Sequence, residues 1–169
     1  DDQTWIFNPV PAFSYGLNIE LNYKNLDLSM FWQGVYDQDV YNNQKFQTDF
    51  WSLTDAGSNK GNRLLGAWTT DNTSSTIPAL TTNNTGDEGR ASSYFVENGS
   101  YLKLRNLQLG YNVPTSFLSK FKMSSARFYV SGQNLLTLKS GGLTCADPEN
   151  PNWAYPLSTS VSFGVQLGF

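Results

Sequence analysis

The chain has 169 residues and a formal net charge of −3, from 11 Lys+Arg against 14 Asp+Glu, one domain's length and a balance that excludes the basic face a nucleic-acid partner needs. It holds no His and one Cys, Cys145, so Ser/His/Asp catalysis and an internal disulfide are excluded, a zinc or thiol site lacks ligands, and neither an enzyme nor a cofactor is expected. Aromatics reach 15% within an ordinary 39% hydrophobic content, and no run of about twenty apolar residues marks a helical membrane span.

The opening D-D-Q-T-W lacks the basic and apolar regions of a signal peptide, which leaves a cytosolic protein, a mature secreted one or a piece of something longer. Pro9 and Pro11 mark the end of a loop. Phe13, Tyr15, Leu17, Ile19, Leu21 and Tyr23 then alternate with Ser14, Gly16, Asn18, Glu20, Asn22 and Lys24, which predicts a two-faced strand over 12–24. Leu28, Met30, Trp32 and Tyr36 resume the alternation against Asp27, Ser29 and Gln33, a second strand over 26–36 joined to the first by a tight turn. Phe31 and Val35 fall on its polar parity, as a half-buried layer or an internal plug would allow.

From 37 to 99 the pattern vanishes, and a loop of that length signals function or disorder. Within it, 41–53 has apolar residues near helical spacing, 61–68 reads as another short helix, and 69–89 is polar loop. The sequon matches at Asn72, Asn83 and Asn98 are a short pattern expected by chance in such a stretch. The third strand, 100–113, carries Leu102 and Leu104 on one parity and Leu107, Leu109, Tyr111 and Val113 on the other. The change of face at Arg105-Asn106 predicts a bulge there, or a strand whose upper part leaves the membrane. Pro114 ends it, and a short connection with a helical turn over 116–120 leads to the fourth strand, 125–136. After a second long loop, 137–156, comes a fifth strand over 157–169. Leu157, Thr159, Val161, Phe163, Val165, Leu167 and Phe169 face Ser158, Ser160, Ser162, Gly164, Gln166 and Gly168.

Tight, long, short and long connections alternate, as in outer-membrane barrels with short periplasmic turns and long outer loops. With strand five running toward the periplasm, Tyr23, Tyr111 and Phe169 fall at the periplasmic rim and Tyr15, Trp32 and Tyr36 at the outer rim, giving two aromatic membrane girdles. Five strands cannot close a barrel, and an open edge in lipid leaves unpaired N–H and C=O groups at several kcal/mol each. The expectation is an all-β, antiparallel portion of a longer transmembrane barrel facing the lipid bilayer. A soluble secreted carbohydrate-binding β-sandwich is the alternative from another class, and a small barrel closed by several copies is a third.

The stretches Y-G-L-N-I-E-L-N-Y-K-N-L-D-L-S-M-F-W-Q-G (15–34), N-G-S-Y-L-K-L-R-N-L-Q-L-G-Y-N-V-P (98–114), A-R-F-Y-V-S-G-Q-N-L-L-T-L (126–138) and D-P-E with the closing strand (147–149 and 157–169) resemble, in this order, the C-terminal end of SusC/RagA-type TonB-dependent outer-membrane transporters. The resemblance implies a barrel of about 22 strands filled by a plug, in the outer membrane of a Gram-negative bacterium. It implies energised import of oligosaccharides, or in some members peptides, through the TonB complex, under a SusD-like surface lipoprotein. The plug, the TonB-contacting segment and the remaining strands are not in this sequence.

Candidate functional residues follow. Trp51, Trp68, Tyr94, Phe95, Trp153 and Tyr155 in the long loops could stack on substrate or on the lid protein, or fill the loops' own small cores. Val161, Phe163, Val165, Leu167 and Phe169 resemble the terminal signal read by the outer-membrane assembly machinery, with an alternating edge to pair and an aromatic anchor. Asp37, Asp39, Asp87 and Glu88 lack the spacing of a calcium loop and read as solvated carboxylates, so no metal is expected. Asp147-Pro148-Glu149 reads as a structural turn. Glu20, Lys24, Asp27, Arg127 and Gln133 point to the lumen, pairing with one another or with a plug.

Overall fold

A computed structural model describes residues 4–49, 59–80, 90–152 and 155–169. The alternating stretches form β1 (Phe13–Tyr23) and β2 (Leu26–Tyr36). A short ribbon, β3 (Asp39–Tyr41) with β4 (Val96–Asn98), brackets α1 (Asn43–Asp49) and 3-10 turns at Asn62–Gly66 and Ser93–Phe95. Then come β5 (Tyr101–Asn112), α2 (Thr115–Leu118) with a 3-10 turn at Ser119–Phe121, β6 (Ser125–Lys139) and β7 (Ser160–Gly168). The main sheet is an antiparallel meander in the order β1-β2-β5-β6-β7. The two-residue β1–β2 turn and the 113–124 connection therefore lie at one end of the sheet, the turn end, and the connections that leave β2 and β6 start from the other, the loop end.

Register carries the alternation across all five strands. Ile19 pairs with Met30 and Met30 with Leu107. Leu107 pairs with Gly132 and Gly132 with Val161. One face is thus an apolar band, while Glu20, Ser29, Gln108, Ser131 and Ser162 run in register along the other. Because the side-chain period is two, such continuity requires every parity change to be matched by an inserted residue. The parity change read at Arg105-Asn106 is that insertion: Phe31 pairs with Asn106 and Trp32 with Leu104, leaving Arg105 as the extra residue of β5. On the other side β6 answers with Asn134 and Leu135 between Gln133 and Leu136, and Asn134 takes φ 52°.

The long loop 37–99 differs from a patternless connection. Its two ends pair as the β3–β4 ribbon, whose three-residue strands are too short to show an alternation. The fifth strand is shorter than 157–169 because residues at its start make side-chain contacts in place of ladder bonds. The Thr159 hydroxyl donates to the Asn134 carbonyl at 2.9 Å, and the Asn134 amide donates to the Ser158 carbonyl at 3.2 Å. β6 continues to Lys139 and pairs with β5 up to Tyr101. A cluster of buried apolar residues, Val40, Leu143 and Cys145, sits in the loops at the loop end.

Candidate functional site

Two surfaces carry the chemistry of this fold. The first is the apolar face. Leu17, Leu21, Leu109, Phe128, Phe163, Val165 and Leu167 are all exposed, Phe163 at 85%, and among the described residues no second sheet or helix layer covers them. Aromatic side chains mark its ends. Toward the loop end Phe13 stacks on Tyr36 at 5.1 Å and Tyr15 lies across Gly34, where a Cβ would meet its ring at 2.2 Å. Trp32 follows, between Leu17 and Leu104. Toward the turn end lie Tyr23 beside Leu26, and Tyr111 beside Phe128. Phe169 follows β7 and is 89% exposed, and Val161, Phe163, Val165 and Leu167 share the apolar face with it in alternation.

The second surface is the polar face, which differs between its ends. At the turn end Asp27 and Arg127 form an ion pair at 2.5 Å across the intervening strand. Gly110 lies beneath them, where a Cβ would stand 2.5 Å from the Asp27 carboxylate and 2.6 Å from the guanidinium. Asn112 adds a hydrogen bond to Asp27 at 3.1 Å. Of the residues expected to face the lumen, Asp27 and Arg127 do pair with one another.

At the loop end the polar face is roofed. Lys103 reaches from β5 into the loops and is 2% exposed. Its ammonium donates to Asp147 and to Glu149, each at 2.7 Å. Tyr101 donates its hydroxyl to Glu149 at 2.7 Å, and Arg105, displaced by the bulge, bonds both Glu149 and the Gln33 amide oxygen, the latter at 2.8 Å. The Asp147 carboxylate also accepts the backbone N–H groups of Glu149 and Leu157. Burial raises the cost of both carboxylates' charged forms, but Lys103 and these donors outweigh it and hold both below the usual carboxylate range. The D-P-E turn is thereby fastened to the barrel-side strand.

A second cluster holds the long loop. Glu97, on β4, accepts the Thr144 N–H at 2.8 Å and the Asn42 amide at 2.9 Å. Lys45 stands 3.6 Å away. Burial opposes the Glu97 charge, yet these donors keep its carboxyl low. Asp49, fully buried, accepts the Tyr94 hydroxyl at 2.7 Å and pairs with Arg63 at 3.2 Å. Burial and this hydrogen bond push the Tyr94 phenol well up. Between ribbon, N-terminal segment and D-P-E turn lies a cleft of about 740 Å³, with Phe7, Pro9, Tyr41, Tyr101, Asp39 and Glu149 among its walls.

The loop aromatics separate accordingly. Phe95 has no exposed surface and packs edge-on against Phe46 at 5.2 Å and Tyr94 at 5.1 Å. It is corrected from a substrate- or lid-contacting residue to a core residue of the loop, and Tyr94 directs its hydroxyl inward to Asp49. Trp68 is 41% and Tyr155 97% exposed. Trp51 and Trp153, like Asp87 and Glu88, lie outside the described residues. Asp39 is occupied as the acceptor for the Asn8 N–H at 3.0 Å. Sequence reasoning missed Lys103 and Arg105. The signal was two cations flanking Leu104 at the parity change, with two acids in a Pro turn downstream to receive them.

A sheet apolar on one whole face and polar on the other, with both outer strands unpaired among the described residues, defines a segment of a β-barrel wall. No family model matches the chain. TonB-dependent receptor P3 of Formosa agariphila is 37% identical over 151 residues, 88% of this chain and 14% of that protein. TonB-dependent receptor P26 of the same organism is 27% identical over all of this chain and 18% of its own length. The RagAB peptide importer superposes with TM-score 0.76 in its open-open state, at 28% identity over 95% of this chain and 17% of that one, and with TM-score 0.71 at 29% identity in its closed-closed state. The chain belongs with the TonB-dependent receptors, in the SusC/RagA family. It spans about a sixth of the length of the relatives it matches.

Proposed function

We propose that the chain supplies wall and outer loops, as the last five strands, to a SusC-like outer-membrane importer. The importer takes up oligosaccharides, or peptides as a second choice, energised through TonB and capped by a SusD-like lipoprotein. The observation that carries this reading is the apolar band itself. Side chains such as Leu17, Phe128 and Phe163 stand exposed in register across five strands, a surface that a bilayer accommodates and water does not. A carbohydrate-binding sandwich would need a second sheet over that band. The polar face becomes the lumen side, the turn end periplasmic, and the stapled loops the outer mouth, where, of the candidate aromatics among the described residues, Trp68 and Tyr155 are exposed to substrate or lid. The rest of the barrel supplies the partner strands of β1 and β7.

The test is uptake by cells with the intact receptor in place. Import of a labelled oligosaccharide too large for porins is expected to require the receptor, the TonB complex and the lipoprotein encoded with it. Uptake that persists after removing the receptor, or a receptor recovered in the soluble fraction, would overturn the reading.

A further inference from the structure

The turn end of the sheet differs in charge from the rest of the molecule. The whole chain is acidic, at −3. The segments that make the turn end, residues 22–27, 111–128 and 165–169, hold Lys24, Lys120, Lys122 and Arg127 against one acid, Asp27. Asp27 is committed to Arg127 at 2.5 Å, so the three lysines are left in excess. Lys120 and Lys122 are exposed, with Lys122 held in the left-handed region at φ 55° as the cap of the 3-10 turn.

Between these lysines the 113–124 connection presents two apolar rings. Leu118 is buried at 2% and anchors the turn, while Phe117 and Phe121 are 56% and 59% exposed with ring centroids 5.7 Å apart. Two neighbouring phenylalanines outside, with a leucine between them packed, form a contiguous exposed apolar patch, the kind of surface that marks a contact with a partner or a membrane. The same end of the apolar face finishes in Tyr23, Tyr111 and Phe128, all exposed. The pair of rings thus stands at the same end of the sheet as these side chains, just past the last ladder bonds of β5, with Lys120 and Lys122 beside it in the chain.

We propose that the 113–124 connection is a membrane-seating foot. Phe117 and Phe121 enter the boundary between headgroups and acyl chains, and Lys120 and Lys122 bind the phosphates of anionic phospholipid in the adjoining leaflet. Apolar rings beside cations at a headgroup boundary are the chemistry of interfacial anchors. The proposal rests on the reading of the sheet as a membrane wall, and it adds an inner-leaflet lipid site outside the spanning strands.

The experiment uses the intact receptor in nanodiscs of phosphatidylethanolamine with phosphatidylglycerol, or of phosphatidylcholine alone. An environment-sensitive fluorophore is attached at Phe117→Cys, at Phe121→Cys as a second position, and at Phe163→Cys on the sheet face; Cys145 is fully buried. Lipids spin-labelled at the headgroup are expected to quench positions 117 and 121, and lipids labelled deep in the acyl chain to quench position 163. Lys120→Gln with Lys122→Gln is expected to reduce the preference for phosphatidylglycerol around position 117 by about fivefold per lysine. Quenching at 163 with none at 117 or 121, or a lipid preference unchanged by the lysine substitutions, would overturn the foot and leave the wall intact. Absence of quenching at all three positions would instead overturn the wall.

Discussion

Lys103 is the residue whose removal the loops should feel most. Its ammonium is shut away with Asp147 and Glu149, so Lys103→Met leaves Asp147 without its cation and Glu149 with Arg105 alone, a loss of about 3–5 kcal/mol for a broken buried pair. The expected outcome is release of residues 140–157 to proteolysis while the strands stay protected. The same network sets a pH dependence. Glu97, Asp147 and Glu149 all have depressed carboxyl pKa values, so their contribution is present above the unfolded-state value of about 4 and is lost as pH falls through the folded values. Hydrogen exchange of residues 140–157 is expected to accelerate below about pH 4 before that of β5 and β6 does. At the turn end, Gly110→Ala should disturb the Asp27–Arg127 pair, and a double-mutant cycle should find its cost abolished in Asp27→Asn. Equal cost in both backgrounds would show that the glycine serves something other than the pair. The Lys103 partnership was not legible from spacing, since 44 residues separate Lys103 from Asp147; Asp27 and Arg127, 100 residues apart, were read as lumen-facing residues that pair with one another or with a plug, without the pair being singled out.

The strands were legible wherever both faces are sampled by enough residues. β1 alternates over eleven residues, and the bulge at Arg105 announced itself as a change of parity. The β3–β4 ribbon was not legible, because three residues establish no period and because its pairing closes a loop of more than fifty residues. The aromatics at 94 and 95 were ambiguous for a related reason: stacking on substrate and packing a loop core ask for the same residue types, and burial decides between them. On β7, the two faces predict opposite responses. Phe163→Arg on the apolar face should cost about 2–4 kcal/mol of folding free energy in a bilayer, whereas Ser162→Arg on the polar face should cost well under half of that. Refolding of the intact receptor into lipid vesicles, with denaturant midpoints for each variant, measures both.

Taken whole, the chain is an open five-stranded sheet whose two edges and whose apolar face need partners from outside it. A soluble domain would hide that face, and the buried cluster of Val40, Leu143 and Cys145 lies instead in the loops at one end. What a wall needs was written in the sequence: period, the order of short and long connections, and aromatic rims. What lies across from the wall was not, since substrate and lid contacts depend on chain beyond it. The most direct measurement is a spin-label scan of positions 160–168 in the intact receptor, comparing collision with oxygen, which concentrates in lipid, and with a water-soluble nickel chelate. A barrel wall predicts a period of two, with oxygen favoured at 161, 163, 165 and 167 and nickel at 160, 162, 164, 166 and 168. Uniform access to nickel on both faces, or protection of 161, 163, 165 and 167 from both probes, would contradict it.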